Sequence, residues 1–213
     1  MATEAGVAPR GGGREPDVRV RLLAAAARLF ADHGYAGASV REICEAVGVT
    51  KPTLYYYFGS KGGLAQALFD EAANNILGML KTAAISDEPL QGKLRTIARA
   101  IFRLSADSPD VCRFFFASVF APPSAGPDYD FNAVIPLVIA ETGKIIAGYL
   151  PEGESRLRDA DRLAMIFLGA LQGYEIRFMR RQDVALTPDL ADRIVDTFIK
   201  GAGAWLTNEE TTE

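Results

Sequence analysis

Lys51, Thr53, Tyr55, Tyr56 and Lys61 bring two ammonium groups and three hydroxyls into eleven residues. No acidic residue interrupts 46–61. A lysine can donate to guanine O6 and N7, and a threonine methyl can meet a thymine methyl. Tyrosine hydroxyls and a second lysine suit phosphate oxygens. This is chemistry for holding nucleic acid rather than for breaking bonds. Arg41, shortly upstream, adds a guanidinium able to reach a base edge or the backbone. Bond-breaking chemistry is poorly supplied elsewhere. The chain has one histidine, His33, and two cysteines, Cys44 and Cys112, too far apart for a CxxC pair. A three-histidine metal site and a disulfide scaffold are excluded, and two scattered thiols fit a reducing cytosol. No metal and no cofactor is expected, and no Gly-rich phosphate loop appears.

These residues need elements to position them. Apolar residues recur at spacings of three and four nearly everywhere, and no sustained period-2 alternation is found, so the chain is expected to be all-α with about nine helices. The first helix is expected from Asp17 to His33, ended by Gly34. A second starts at Ser39, with Val40, Ile43 and Val47 on one face, and Gly48 stops it. Thr50 then caps a third helix through Phe58, with Pro52 in its first turn, where a missing N–H does no harm. Short helix, tight turn and short helix form the pattern of a helix-turn-helix, whose second helix enters the DNA major groove. With Leu54 and Phe58 inward, Thr53 and Tyr56 lie on the far side and Lys51 and Tyr55 on a flank. Tyr55 and Tyr56 cannot both be core. Further helices are expected to end near Ala84, over Leu90–Ser105, from Pro109, to about Leu150 (bent or delayed by Pro136), and over Ser155–Arg181 and Pro188–Leu206.

The stretches Leu29-Phe30, Gly34-Tyr35, Ser39-Val40-Arg41-Glu42-Ile43, Gly48 to Phe58 and Ser60-Lys61 resemble the N-terminal domain of TetR/AcrR-type transcriptional regulators. The resemblance covers about 45 residues. It implies a homodimeric, ligand-responsive regulator, expected to be a repressor, that binds a near-palindromic double-stranded DNA operator in the cytoplasm. It also implies that Arg41, Thr50, Lys51, Thr53, Tyr55, Tyr56 and Lys61 carry most DNA contacts. One departure stands out. Gly62-Gly63 follows Ser60-Lys61 where relatives often carry acids, which predicts a frayed start to the fourth helix. The expected organisation is a flexible arm at 1–16, a helix-turn-helix DNA-binding domain at 17–62, a ligand-binding and dimerisation domain at 63–206, and a tail at 207–213.

The last two expected helices are apolar on more than one side, and this surplus fits a two-fold four-helix bundle between protomers. Met165, Gly169, Gln172, Ile176, Ile199 and Trp205 are the candidate dimer contacts. A small apolar or aromatic effector is expected among helices four to eight, against Phe102, Phe115, Phe116, Phe167, Tyr174 and Arg177. Glu175 beside Arg177 reads as a solvated pair. His33 suits a helix end, Cys44 suits packing, and Cys112, near a helix N-terminus and beside Arg113, could have a lowered thiol pKa. The competing readings are a helical small-molecule-binding protein without DNA binding, opposed by the intact 51–61 stretch, and an enzyme, opposed by the lone histidine.

The net charge of −4 does not argue against DNA. Residues 1–85 hold 9 Lys+Arg against 8 Asp+Glu, whereas 86–213 hold 14 against 19. The longest charge-free run, Phe114–Pro127, has 14 residues. That is short of the roughly 18 apolar residues that a membrane span needs, so no membrane partner is expected.

Overall fold

The computed structural model describes residues 17–122, 126–180 and 184–203. The expected arm and tail, and Trp205 with them, lie outside the described residues. Among those described, nine helices and no strand are found. They are α1 (Val18–Gly37), α2 (Val40–Val47), α3 (Lys51–Phe58), α4 (Lys61–Ile85), α5 (Leu90–Asp107), α6 (Pro109–Val119), α7 (Phe131–Ala147), α8 (Arg156–Met179) and α9 (Pro188–Gly201).

Local signals account for most of these limits. The Asp17 carboxylate caps α1 by accepting from the Arg19 N–H. The backbone leaves helical values at Gly34, as expected, but resumes a turn that carries α1 to Gly37. Pro136 does not delay α7. The helix begins at Phe131, where Asp130 caps it by accepting from the Ala133 N–H, and Pro136 lies inside it.

Two apolar cores result. The first joins Leu22, Ala26 and Phe30 of α1 to Ile43, Leu54, Leu64 and Phe69, and it includes Phe114 from α6. The second joins Leu80 of α4 to Leu94, Ile97 and Phe102 of α5, Ile146 of α7, Phe167 of α8 and Val195 of α9. Helix α4 therefore runs through both cores. The first core extends beyond the expected boundary at residue 62, because Leu64, Leu68 and Phe69 repeat at helical spacing on the face that meets α1. Helix α9 is strapped to α5 by Arg95–Asp196 (2.6 Å) and by a two-pronged Arg99–Asp192 pair. No helix among the described residues is long and apolar enough to cross a membrane.

Candidate nucleic-acid interface

The interface is built from capping chemistry. Ser39 and Glu42 form a reciprocal box: the Ser39 hydroxyl accepts from the Glu42 N–H (3.1 Å), and the Glu42 carboxylate accepts from the Ser39 N–H (2.8 Å). The Ser39 N–H first, and the Ser39 hydroxyl second, also hold the Glu42 carboxyl below its ordinary pKa, against the opposing effect of burial. At the other end of α2, Gly48 adopts a left-handed conformation (φ 73°) that L side chains rarely take. Its N–H and that of Val49 satisfy the last carbonyls of α2. The chain turns there, and α3 follows.

Leu54 anchors α3 and is completely buried. A helix with one buried apolar anchor must present its other sides. Tyr56 is 84% exposed, and Tyr55, Tyr57 and Lys51 are exposed as well. Tyr56 and Tyr57 meet edge to face at 5.3 Å, which orients the rings without burying their hydroxyls. Thr50 stands at the N-cap position but does not cap. Its hydroxyl shares a 3.0 Å hydrogen bond with the half-buried Thr53 hydroxyl, in which either can donate. Arg41 is exposed and holds Glu45 one turn on at 2.7 Å. Such a solvent-screened i,i+4 pair contributes little, so the guanidinium stays available to another anion.

Lys61 differs from the sequence expectation of a free point charge. It is half-buried, and its ammonium lies 4.5 Å from the Tyr35 ring centroid. Burial lowers its pKa, with Glu42 pulling weakly the other way. The expected fraying of α4 is also corrected. The helix starts at Lys61, and the Ser60 hydroxyl accepts from the Gly63 N–H at 2.9 Å. Gly63 is required rather than costly, because a Cβ there would collide with the Phe58 carbonyl. Missing side-chain volume lets α3 and α4 close on each other.

The remaining candidates fall into three groups. Phe102 and Phe167 are fully buried in the second core, and Phe167 meets Phe198 at 5.4 Å. Phe115 lies on α6 with Phe116 beside it (5.4 Å) and packs against Phe69 and the first core. Tyr174 and Arg177 are exposed on α8. The structure thus does not bring these six together. A cleft of about 200 Å³ lies instead between α4 and α5, lined by Ile76, Met79, Ile101, Arg103, Leu104 and Asp107 among others. On α8, Met165 is 60% exposed, Ile166 is exposed with it, and nothing lies within 4 Å of where a Cβ would stand on Gly169 or Gly173. Gln172, Ile176 and Ile199 are half-buried.

Two further expectations are revised, and one holds. Glu175 does not share solvent with Arg177. It is buried, accepts a hydrogen bond from the Ser105 hydroxyl, and its pKa is pushed up to about 7 by burial. Cys112 is likewise pushed up, to about 12, by burial first and by Glu175 second, so the reactive thiolate is suppressed. Cys44 is buried in the first core, as packing requires. Sequence reasoning missed the role of Arg113 and Phe114. Phe114 is fully buried between Phe30 (4.7 Å) and Phe69 (4.8 Å), and Arg113 reaches Asp32 of α1 (3.0 Å). No local signal separates Phe114 from its aromatic neighbours.

An all-helical chain that presents a short, acid-free helix behind a left-handed glycine turn is a helix-turn-helix DNA-binding protein in architecture. Residues 22–68 match the family model of bacterial regulatory proteins, tetR family. The HTH-type transcriptional regulator RutR of Escherichia coli K12 is 28% identical over 153 residues, spanning 72% of this chain and 71% of RutR. The fatty acid degradation regulator FadR of Bacillus halodurans shares the fold at a TM-score of 0.71 with 19% identity, covering 88% of this chain and 97% of its own. FadR of Bacillus subtilis, solved in complex with stearoyl-CoA, gives 0.66 and 18%, over 85% and 98%. The chain is therefore similar to TetR-type transcriptional regulators over its helix-turn-helix unit, and it shares their helical fold.

Proposed function

We propose that this chain is a homodimeric repressor that binds a near-palindromic operator through α3 and releases it when a small apolar or aromatic effector occupies the helical unit after α3. The observation that carries the DNA assignment is the exposure of Lys51, Tyr55 and Tyr56 on a helix whose only fully buried residue is Leu54. Thr50, Thr53 and Arg41 lie beside them on the same α2–turn–α3 unit, and Lys61 supports that unit from the start of α4. Because this regulator acts on DNA, its place is the cytoplasm.

Dimerisation is supported by the unpartnered apolar strip of α8, where Met165, Ile166, Gly169, Gly173 and Tyr174 face outward. Glycines in such a strip allow two helices to approach closely. A two-fold axis there sets two copies of α3 against half-sites roughly 34 Å apart, one turn of DNA. Effector control needs a ligand with different affinity for two arrangements of the dimer. The α4–α5 cleft is below the roughly 300 Å³ of an ordinary ligand site, so an effector must open the helices as it enters. The stearoyl-CoA complex of the B. subtilis relative supports a ligand within this fold, though the likeness is one of fold alone.

The test is a gel shift at low salt with DNA from upstream of the gene. Retarded complexes that Tyr56→Ala weakens support the proposal. Failure to bind any such fragment overturns it.

A further inference from the structure

Three consecutive residues of α6 face three different neighbours. Cys112 points at the second core, where its thiol donates to the Ser105 hydroxyl of α5 at 3.5 Å. Ser105 in turn donates to the Glu175 carboxylate of α8. Arg113 points at α1 and pairs with Asp32, and also with its own neighbour Asp110 at 2.6 Å. Phe114 enters the first core between Phe30 and Phe69. A short polar chain buried among α5, α6 and α8 is therefore one residue away from the groups that fasten α6 to the DNA-binding unit.

Among the described residues, nothing neutralises Glu175. Its hydrogen bond comes from Ser105, and the Cys112 thiol stands behind that hydroxyl. The cations on α8 and on the helices packed against it either pair elsewhere or stand exposed to solvent. On α5, Arg95 and Arg99 hold Asp196 and Asp192 of α9, Lys93 donates to the Ala84 carbonyl, and Arg103 lines the α4–α5 cleft beside Asp107. On α7, Lys144 holds Glu141, and on α9, Arg193 holds Asp189 while Lys200 is exposed. On α8 itself Arg162 holds Asp159, and Arg177 is exposed. A carboxylate in this place either keeps a proton or must find water by parting the helices around it.

We propose that the Ser105–Cys112–Glu175 cluster is a proton-operated joint that sets how α6 rests on α8 and thereby tunes DNA affinity with pH. The carboxyl, pushed up to about 7, changes charge within the range that cells experience. Protonated, it fits the packed arrangement described above. Ionised, it favours an arrangement in which α6 or α8 yields, and Arg113 and Phe114 carry that displacement into the first core. The proton thus binds one arrangement better than the other, which is the condition for coupling. The DNA part of this inference rests on the proposed regulator function, and the joint itself does not.

Hydrogen exchange of the full chain, corrected for intrinsic rates, tests the joint without DNA. Between about pH 6 and about pH 8, α6 should lose protection in the wild type but not in Glu175→Gln. Ser105→Ala removes the donor that holds the Glu175 pKa down, so its transition should move to higher pH. Parallel profiles in all three proteins, or a Ser105→Ala midpoint that does not rise, overturn the joint. The second arm is a titration of upstream DNA across the same range. Its affinity should change by about tenfold per unit of pKa difference between the arrangements in the wild type, and stay flat in Glu175→Gln. Matching pH dependence in both proteins refutes the link to DNA. A wild type that binds no DNA at any pH refutes the regulator function and leaves the exchange result to decide on the joint.

Discussion

Tyr56 shows how much a single exposed residue can reveal. Its ring is braced by Tyr57, yet no core contact depends on it. Tyr56→Ala should therefore weaken operator binding by about tenfold, equal to about 1.4 kcal/mol, with an unchanged melting temperature. Lys51→Ala should weaken binding to all sequences alike and flatten the salt dependence by about one unit of slope, read by fluorescence anisotropy at several salt concentrations. Leu54 is the counterpart. Leu54→Ala empties a fully buried site and should lower stability by about 2–5 kcal/mol, measured by urea unfolding, with DNA binding lost only because the unit unfolds. Both kinds of residue sit in one helix, and their spacing already separated them in the sequence. Lys61 was less legible. Its type and place suggested a phosphate contact, but the Tyr35 ring beneath its ammonium comes from α1 and has no local signal.

At the scale of elements, the α3–α4 corner carries the clearest contrast. Gly62 and Gly63 look equivalent in sequence, and both suggested a loose helix start. A Cβ on Gly62 would meet only ordinary contacts, whereas one on Gly63 would strike the Phe58 carbonyl. Gly62→Ala should be neutral or stabilising by up to about 1 kcal/mol. Gly63→Ala should destabilise by about 1–3 kcal/mol, as an overpacked site does. Thermal unfolding of the two variants side by side decides this, and equal shifts would contradict the close approach. Helix limits were largely legible because caps are local. Ser39 and Gly48 each act within three or four residues of their own position.

At the scale of the whole molecule, two cores share α4 and are also joined by α6. The outward strip of α8 predicts the assembly: replacing Ile166 by Glu together with Gly169 by Arg should give monomers in analytical ultracentrifugation and abolish tight operator binding, with the helical circular-dichroism spectrum retained. A dimer that survives this pair would move the interface elsewhere. Glu175 sets a pH dependence of stability. Its folded pKa is raised above the ordinary value of 4.5, so the folded state holds the proton more tightly than the unfolded chain does. Its stabilising contribution is complete below 4.5 and is lost as pH rises to about 7, an upper limit of about 3 kcal/mol. Glu175→Gln should flatten that part of the curve measured by chemical unfolding between about pH 5 and about pH 8.

The all-helical class, the helix-turn-helix and the outward side of α3 are legible in residue order alone. Those depend on apolar period, capping residues and a left-handed glycine, all of which act over one or two turns. Long-range packing sets which aromatic side chains join which core, places Phe114 with Phe30 and Phe69, and buries Glu175 while leaving Arg177 exposed. Burial and the pKa values that follow from it depend on what packs from distant parts of the chain. Ser105 and Glu175 are seventy positions apart, and no spacing rule within one helix could have joined them.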